Sequence, residues 1–367
     1  MSGIVAIDAR MLGASGIGTY IENLLLEFER LNNSFHFKLI GNPEKLHRLV
    51  GSSPKYEIVP VDFPIYSIAE QLELPKLADG CDILHSPHHN VPILYRGKLL
   101  VTFHDALHWD YPQYIPNWRG KIYLKFVSKR IRRADWIITP SRFTAERVRE
   151  IFDFPSDRIT VIHQGVDTHH FSRRSPDAVR AVLAKYGIHP GNYLFYVGNI
   201  KPHKNIENLV KAYELARAKG VSANLVLAGK VSGLRAKVDI EKILSVEGVK
   251  YIGEIPYSEL PYFYSGARAL IFVSLYEGFG LPPLEAMACG CPVLCSNTTS
   301  IPEVVGDSAI LVNPEDIDEI AEKIKIISLD LRVRKKLVAK NRSRIKFFKW
   351  EKTAERTIEV YSKLTEE

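Results

Sequence analysis

The chain has 367 residues, 46% of them hydrophobic and 25% charged, which is ordinary globular material with enough apolar mass for two cores. Its formal charge of +7 admits anionic partners without choosing among them. No run of about 18 apolar residues occurs, so no membrane-spanning helix is expected, and the opening MSGIVAIDAR lacks the basic and apolar stretches of a secretory signal, so a cytoplasmic protein is expected.

Ile4–Asp8 (IVAID) reads as a short strand. It runs into the loop ARMLGASGIG and an amphipathic helix from about Thr19 to Arg30. A lone glycine-rich loop of this kind is a weak dinucleotide signal, and no acid is convincingly placed about 20 residues further on. Cys81 precedes the strand DILHS, which ends near His85, His88 and His89. Adjacent histidines rarely share one ion and no acid stands at ligand spacing, so lining of a cleft is the better reading and no metal is expected. The strand LLVTFHD ends in His104 and Asp105, where Asp105 could orient the histidine.

From Arg119 to Arg133 seven basic residues stand with no acid, interleaved at helical spacing by Tyr123, Phe126, Val127 and Ile131. This pattern suits either a core-facing helix with solvated charges or a basic amphipathic helix on an anionic membrane face. Nucleic-acid binding by the same charges is not expected. Two further strands, DWIITPS and RITVIHQG, flank a helix that Ser141 can cap. Patterning lapses after Gly165, and a linker is expected near residues 168–190.

Alternation then restarts. YLFYVGN, NLVLAGK, VKYIG, ARALIFVS and CPVLCS are strands, and Asn205–Gly220 is a helix. Strand–helix alternation on this scale means mostly parallel sheets covered by helices. The division expected is 1–172 as an acceptor-side unit, 173–349 as a donor-binding unit, and a terminal helix in 350–367 that returns to the first. Two doubly wound sheets facing each other across a cleft would bind a ligand where strands end and helices begin. The remaining cysteines, Cys289, Cys291 and Cys295, form no CxxC pair and read as buried small apolar residues.

The stretch EGFGLPPLEAMACG, Glu277–Gly290, follows one such strand. Pro282 and Pro283 suit a first helical turn. The helix therefore starts at a glycine loop, with free N–H groups and a partial positive charge of about 0.5 that favour phosphate. Glu277 on the loop and Glu285 one turn inside would lie beside that phosphate and could accept hydrogen bonds from hydroxyls. A diphosphate between two polyhydroxyl rings, as in a nucleotide-sugar, fits the arrangement. Asp316 and Asp318 (DID) open another helix, where acids favour the dipole, so metal binding there is not expected.

SLYEGFGLPPLEAMACGCPVL, followed by SIPEVVGDSAILV, resembles the donor-site signature of the retaining glycosyltransferase family 4, which has the two-domain GT-B fold. The resemblance extends to the N-terminal glycine loop, His104–Asp105, GVD at Gly165–Asp167, VGNIKPHKN, VKYIGEIP and the terminal helix. It implies that Glu277 holds hydroxyls of the donor sugar and Glu285 the ribose diol. By the same resemblance, amides around Phe279, Gly280 and Leu281 meet the sugar and phosphate, and Lys204 pairs with the diphosphate. Many members carry an arginine where this chain has Asn199, and Lys201 or His203 would then compensate. Ile252 would run beside the base, and Gly16 and Gly18 would let backbone amides approach the donor phosphate. His104 would serve at the reacting sugar, and His85, His88 and Asp105 on the acceptor side.

The implied reaction moves a hexose, of glucose or mannose type, from a nucleotide diphosphate sugar to a glycan or lipid-linked acceptor, with retention, no cofactor and no metal. Residues 119–133 would hold the enzyme at the inner membrane face. Base, sugar and acceptor stay open, and so do other two-domain sheet enzymes, such as a phosphorylase or an epimerase, and a non-catalytic sugar binder.

Overall fold

The computed structural model describes residues 3–115, 117–231 and 240–366. They form two compact units, Met1–Gly165 with Trp350–Glu367, and Val166–Lys349. The first holds seven strands: β1 (Ile4–Asp8), β2 (His36–Gly41), β3 (Tyr56–Pro60), β4 (Ile83–Ser86), β5 (Leu99–Thr102), β6 (Trp136–Thr139) and β7 (Ile159–Val161). They pair in parallel in the order β3-β2-β1-β4-β5-β6-β7. The second holds β8 (Tyr193–Val197), β9 (Asn224–Ala228), β10 (Val249–Tyr251), β11 (Ala269–Phe272), β12 (Val293–Ser296) and β13 (Ile310–Val312), in the order β10-β9-β8-β11-β12-β13.

The chemistry of the segments explains the layout. Every residue of β4, β5, β6, β11 and β12 is buried, which is how interior parallel strands covered on both faces read. β2 and β3 escaped the sequence reading because their patterns are mixed: HFKLIG opens on exposed His36, and the edge strand YEIVP has no buried residue. Both sheets reverse direction of growth once, between β1 and β4 and between β8 and β11. At such a switch point the loops after the two strands diverge and leave a crevice at their carboxyl ends.

Two expectations need correction here. The first helix begins at Ser15 and not near Thr19, so Gly16 and Gly18 lie in its first turn and not on a loop. Backbone bonding decides this, since the Gly18 amide already donates to the Ala14 carbonyl at 2.9 Å. The stretch 168–190 is not a bare linker, because Pro176–Ala184 is a helix. Ser175 caps it, and Val179 and Leu183, one turn apart, enter the core of the second unit. Those for Asp105, His85 and His88 are described with their site below. The terminal helix Trp350–Glu366 packs in the first unit through Tyr361, whose ring meets those of Phe28, Phe35 and Phe37.

Candidate active site

In the second unit, the loops after β8 and β11 carry the charged pair. Lys204 Nζ lies 2.6 Å from Glu277 Oε1, and both side chains are largely shielded from solvent. Asn205 fixes the first loop. It adopts a left-handed φ of 62° and donates from Nδ2 to the carbonyls of Val273 and Pro314 at 3.0 and 2.6 Å. The Leu275 amide returns a bond to the His203 carbonyl at 2.8 Å. Ser300 fixes the second loop, because its hydroxyl stands 2.9 Å from both the Glu277 and Phe279 carbonyls. The Lys204 ammonium also lies over the Phe272 ring at 5.6 Å.

The helix Leu281–Ala288 starts directly after this loop. Its cap, Gly280, has φ of 110°, and a Cβ there would stand 2.6 Å from the Ile301 side chain, so only glycine fits both the turn and the neighbour. Phe279 is nearly buried. Glu285, one turn in, accepts from the Tyr264 hydroxyl at 2.7 Å. Burial pushes its carboxyl up to about 7, and the Tyr264 bond only partly opposes that. Of the residues offered in place of the family arginine, Lys201 is exposed and His203 buried, while Asn199 is partly buried. The Ile252 amide is already bonded to the Leu227 carbonyl at 3.0 Å, so a base could meet only its carbonyl. Gly229 has φ of 131°, and any Cβ on it would collide with the Gly198 carbonyl, so β8 and β9 end in close contact here.

In the first unit, His104 stands just beyond β5 with both ring nitrogens engaged. Nε2 is 2.9 Å from the Pro87 carbonyl and Nδ1 is 3.0 Å from Gln164 Nε2. Tyr20 meets the ring edge-on at 4.9 Å. Burial draws the imidazole down to about 4, so it is neutral near pH 7. Asp105 does not orient it: its Oδ1 takes the Leu107 amide and starts the short helix that follows. Local backbone geometry thus claims the carboxylate before the histidine can.

The other sequence candidates divide. His85 is fully buried, with Nδ1 2.6 Å from the Tyr361 hydroxyl and Nε2 2.8 Å from the Thr102 hydroxyl. It ties the terminal helix to the sheet and cannot line an acceptor surface. His88 is buried too. Its Nδ1 accepts the Asn90 amide at 3.0 Å, and its Nε2 is 3.4 Å from Asp8. Gly18 is a packing glycine, since a Cβ there would stand 2.7 Å from the Gly13 amide nitrogen; Gly16 has open space around it. Asp316 caps the helix Ile317–Leu329 through the Glu319 amide at 2.8 Å. Among the described residues no group of three or more His, Cys, Asp or Glu is placed to hold a metal ion.

Sequence reasoning missed a buried charge network and two partner residues. Arg10 grips Asp8 with Nε at 2.8 Å and Nη2 at 2.6 Å, and Nη2 also reaches Glu70 at 3.1 Å. Asn90 donates to Glu70 at 2.7 Å, and Tyr123 bonds Asn90. Burial alone would raise Asp8, but Arg10 and His88 hold it well below the usual carboxylate range. An acid and a base placed at the end of a strand, as in DAR, were the available signal. Gln164 and Tyr264 left no comparable mark, because their partners lie 60 and 21 residues away.

Two family models match the chain: Glycosyltransferase Family 4 over residues 14–170, and Glycosyl transferases group 1 over residues 181–344. The O-antigen chain mannosyltransferase B of Escherichia coli is 35% identical over 288 residues, which cover 77% of this chain and 74% of that one. The serotype-specific mannosyltransferase WbdA of Escherichia coli is 32% identical over 291 residues, or 76% of this chain but only 34% of WbdA. The structure of Anabaena HepE in complex with UDP-glucose superposes with a TM-score of 0.77 at 16% identity, covering 99% of this chain and 100% of that one. That likeness speaks for the fold, two doubly wound sheets of GT-B type.

Proposed function

Because the chain belongs to glycosyltransferase family 4, we propose that it transfers mannose, with retention, from a nucleotide diphosphate mannose to a growing bacterial surface glycan. The observation that carries this reading is the Lys204–Glu277 pair, held across the β8/β11 switch point beside the N-terminus of Leu281–Ala288, with Glu285 one turn behind. The mannose and the glycan acceptor rest on the similarity to mannosyltransferase B.

Each group then has a task. The donor diphosphate lies against Lys204 and the amides of Phe279, Gly280 and Leu281, where the helix terminus adds its partial charge. Glu277 accepts from mannose hydroxyls and Glu285 from the ribose diol. The Ile252 carbonyl faces the base, and Asn199 gives the phosphates a neutral contact. Gly16, with nothing crowding it, lets the first helix's amides approach the donor. His104 supplies a neutral ring at the reacting sugar. The bond from the anomeric carbon to the phosphate oxygen breaks, and a bond to the acceptor oxygen forms on the same face. The acceptor proton passes to the departing phosphate oxygen. The protein orients the reactants and stabilises the leaving diphosphate.

The test is incubation with GDP-mannose, UDP-glucose and ADP-glucose and a mannose-terminated acceptor, with and without EDTA, followed by NMR of the product linkage. Release of nucleoside diphosphate with an α-linked product, unaffected by EDTA, is expected. An inverted linkage overturns the retaining reading, and no release from any donor overturns the function.

Donor affinity should depend on pH through Glu285. A ribose diol needs the ionised carboxylate, yet the buried group sits at about 7 in the free protein. Donor KM should therefore rise as pH falls below about 7, approaching tenfold per unit, with kcat changing less. For stability of the free protein the sign reverses. The folded state binds the proton more tightly than the unfolded one, so the contribution is present below about 4.5 and lost as pH rises towards about 7. A flat donor KM between pH 5.5 and 8, in a Glu285→Gln control and wild type alike, would count against this role.

The helix Trp118–Ile131 carries the membrane part of the proposal. Val127 and Ile131 face the core, but Trp118, Ile122 and Phe126, spaced one turn apart, are 67%, 44% and 50% exposed. Exposed Arg119, Lys121, Lys125 and Lys129 flank this stripe. A helix apolar on both edges with basic flanks suits the headgroup region of an anionic leaflet. No helix among the described residues is long and apolar enough to cross a membrane. Binding to phosphatidylglycerol vesicles, weakened by salt and lost in Trp118→Ser/Phe126→Ser, is the expected outcome at the cytoplasmic face; equal binding by the double variant would exclude this helix.

A further inference from the structure

We propose that Gln164 is the positioning residue that locks the His104 imidazole in one orientation and in its Nε2–H tautomer. The inference rests on the reading of His104 as a group at the reacting sugar, but its structural part stands without it. A backbone carbonyl can only accept, so the 2.9 Å contact to Pro87 places the hydrogen on Nε2. Nδ1 then carries a lone pair and needs a donor. Gln164, 3.0 Å away, must turn its amide nitrogen to the ring, because its oxygen would face that lone pair. The two bonds hold opposite sides of the ring, and the Tyr20 edge closes a third.

The support for Gln164 comes from far along the chain. It follows β7 and is 5% exposed. The two residues just before it are anchored. The Ile162 amide donates to the Thr139 carbonyl at 2.8 Å, and the Thr353 hydroxyl of the terminal helix donates to the His163 carbonyl at 2.8 Å. The chain segment on which the donor amide rides is therefore fixed by β6 and by the last helix of the same unit. The groups around the ring have opposite pulls: burial disfavours protonation most, the Pro87 carbonyl and then Asp105 favour it, and His88 opposes it. Burial sets the neutral ring, and the Gln164 N–H is the partner that the bare Nδ1 of that ring requires.

The consequence is that His104 neither takes nor gives a proton during transfer. It presents a ring of fixed orientation and no charge, which suits a site where the leaving phosphate, and not the protein, receives the acceptor's proton.

The test exchanges the donor for an acceptor. Gln164→Glu sets a carboxylate against Nδ1, which then requires a proton there while Pro87 retains the one on Nε2. With 15N-histidine labelling, wild type should show His104 as the neutral Nε2–H form at neutral pH, identified by the signal missing in His104→Ala. Gln164→Glu should show it as imidazolium, with kcat lowered roughly 10²-fold and donor KM within twofold. Gln164→Leu, should the glutamate variant fold poorly, leaves Nδ1 unpartnered. It should give an exchange-broadened ring and a similar loss in kcat with an unchanged acid limb in donor KM. Two results overturn the inference: a neutral, sharp His104 signal in both variants, or a changed ring with kcat within twofold of wild type. If no donor is turned over by wild type, the labelled spectra still decide the positioning, so failure of the function and failure of this inference are told apart.

Discussion

Replacing Glu277 by glutamine is expected to lower kcat/KM for the sugar nucleotide by roughly 10²–10³-fold, while affinity for the free nucleoside diphosphate stays within about threefold. The carboxylate is held in place before any ligand arrives, by Lys204 on one oxygen and by Ser300 and Thr299 on its own backbone. Hydrogen bonds to a charged acceptor contribute about 1.5–3 kcal/mol each, and a sugar presents two neighbouring hydroxyls. The carboxamide keeps the shape, so the variant should fold, but it weakens those bonds and leaves Lys204 without its counter-charge. Steady-state kinetics beside calorimetric titration with the nucleoside diphosphate separates the two ligands. Turnover within threefold of wild type would remove Glu277 from the sugar site.

Lys204→Ala should act on the other half of the donor. Loss of a partly shielded ammonium from a diphosphate is worth about 1.5–3 kcal/mol, or roughly 10–150-fold, and should appear in the affinity for nucleoside diphosphate as much as in donor KM. Lys204→Arg should restore only part of it. The loop geometry set by Asn205 and the face of Phe272 admits a point charge, and a planar fork is longer and differently shaped. Since the two residues contact each other at 2.6 Å, the Lys204→Ala/Glu277→Gln double variant should cost less than the two losses combined. Titration of nucleoside diphosphate into all four proteins provides the cycle. Unchanged nucleotide affinity in Lys204→Ala would place the diphosphate elsewhere.

Much of the second unit could be read from the chain. The strands β8 and β11 are unbroken apolar runs, and the glycine loop with its prolines announces the helix at Leu281. Glu277, Lys204 and Glu285 stand in motifs whose residue types state their chemistry. The first unit was harder. Its edge strands β2 and β3 lack a continuous apolar signal, and the start of its first helix is decided by the Gly18–Ala14 bond and not by the glycine pattern. The histidine cluster misled for a related reason. Three similar side chains within five residues, His85, His88 and His89, fall on a strand end and a turn, and each meets a different environment.

Local sequence, then, determined what depends on neighbours in the chain: alternating strands and helices, helix caps such as Ser141 and Asp316, and the acids and lysine of the donor motifs. Tertiary structure alone decided which polar groups are free. His85 is consumed by Tyr361, 276 residues away, Asp8 is met by His88 from another strand end, and His104 is held by Pro87 and Gln164. The reason is physical. A buried polar group must find a partner, that partner is supplied by whichever strand or helix packs against it, and packing brings together residues whose separation along the chain carries no trace of the pairing.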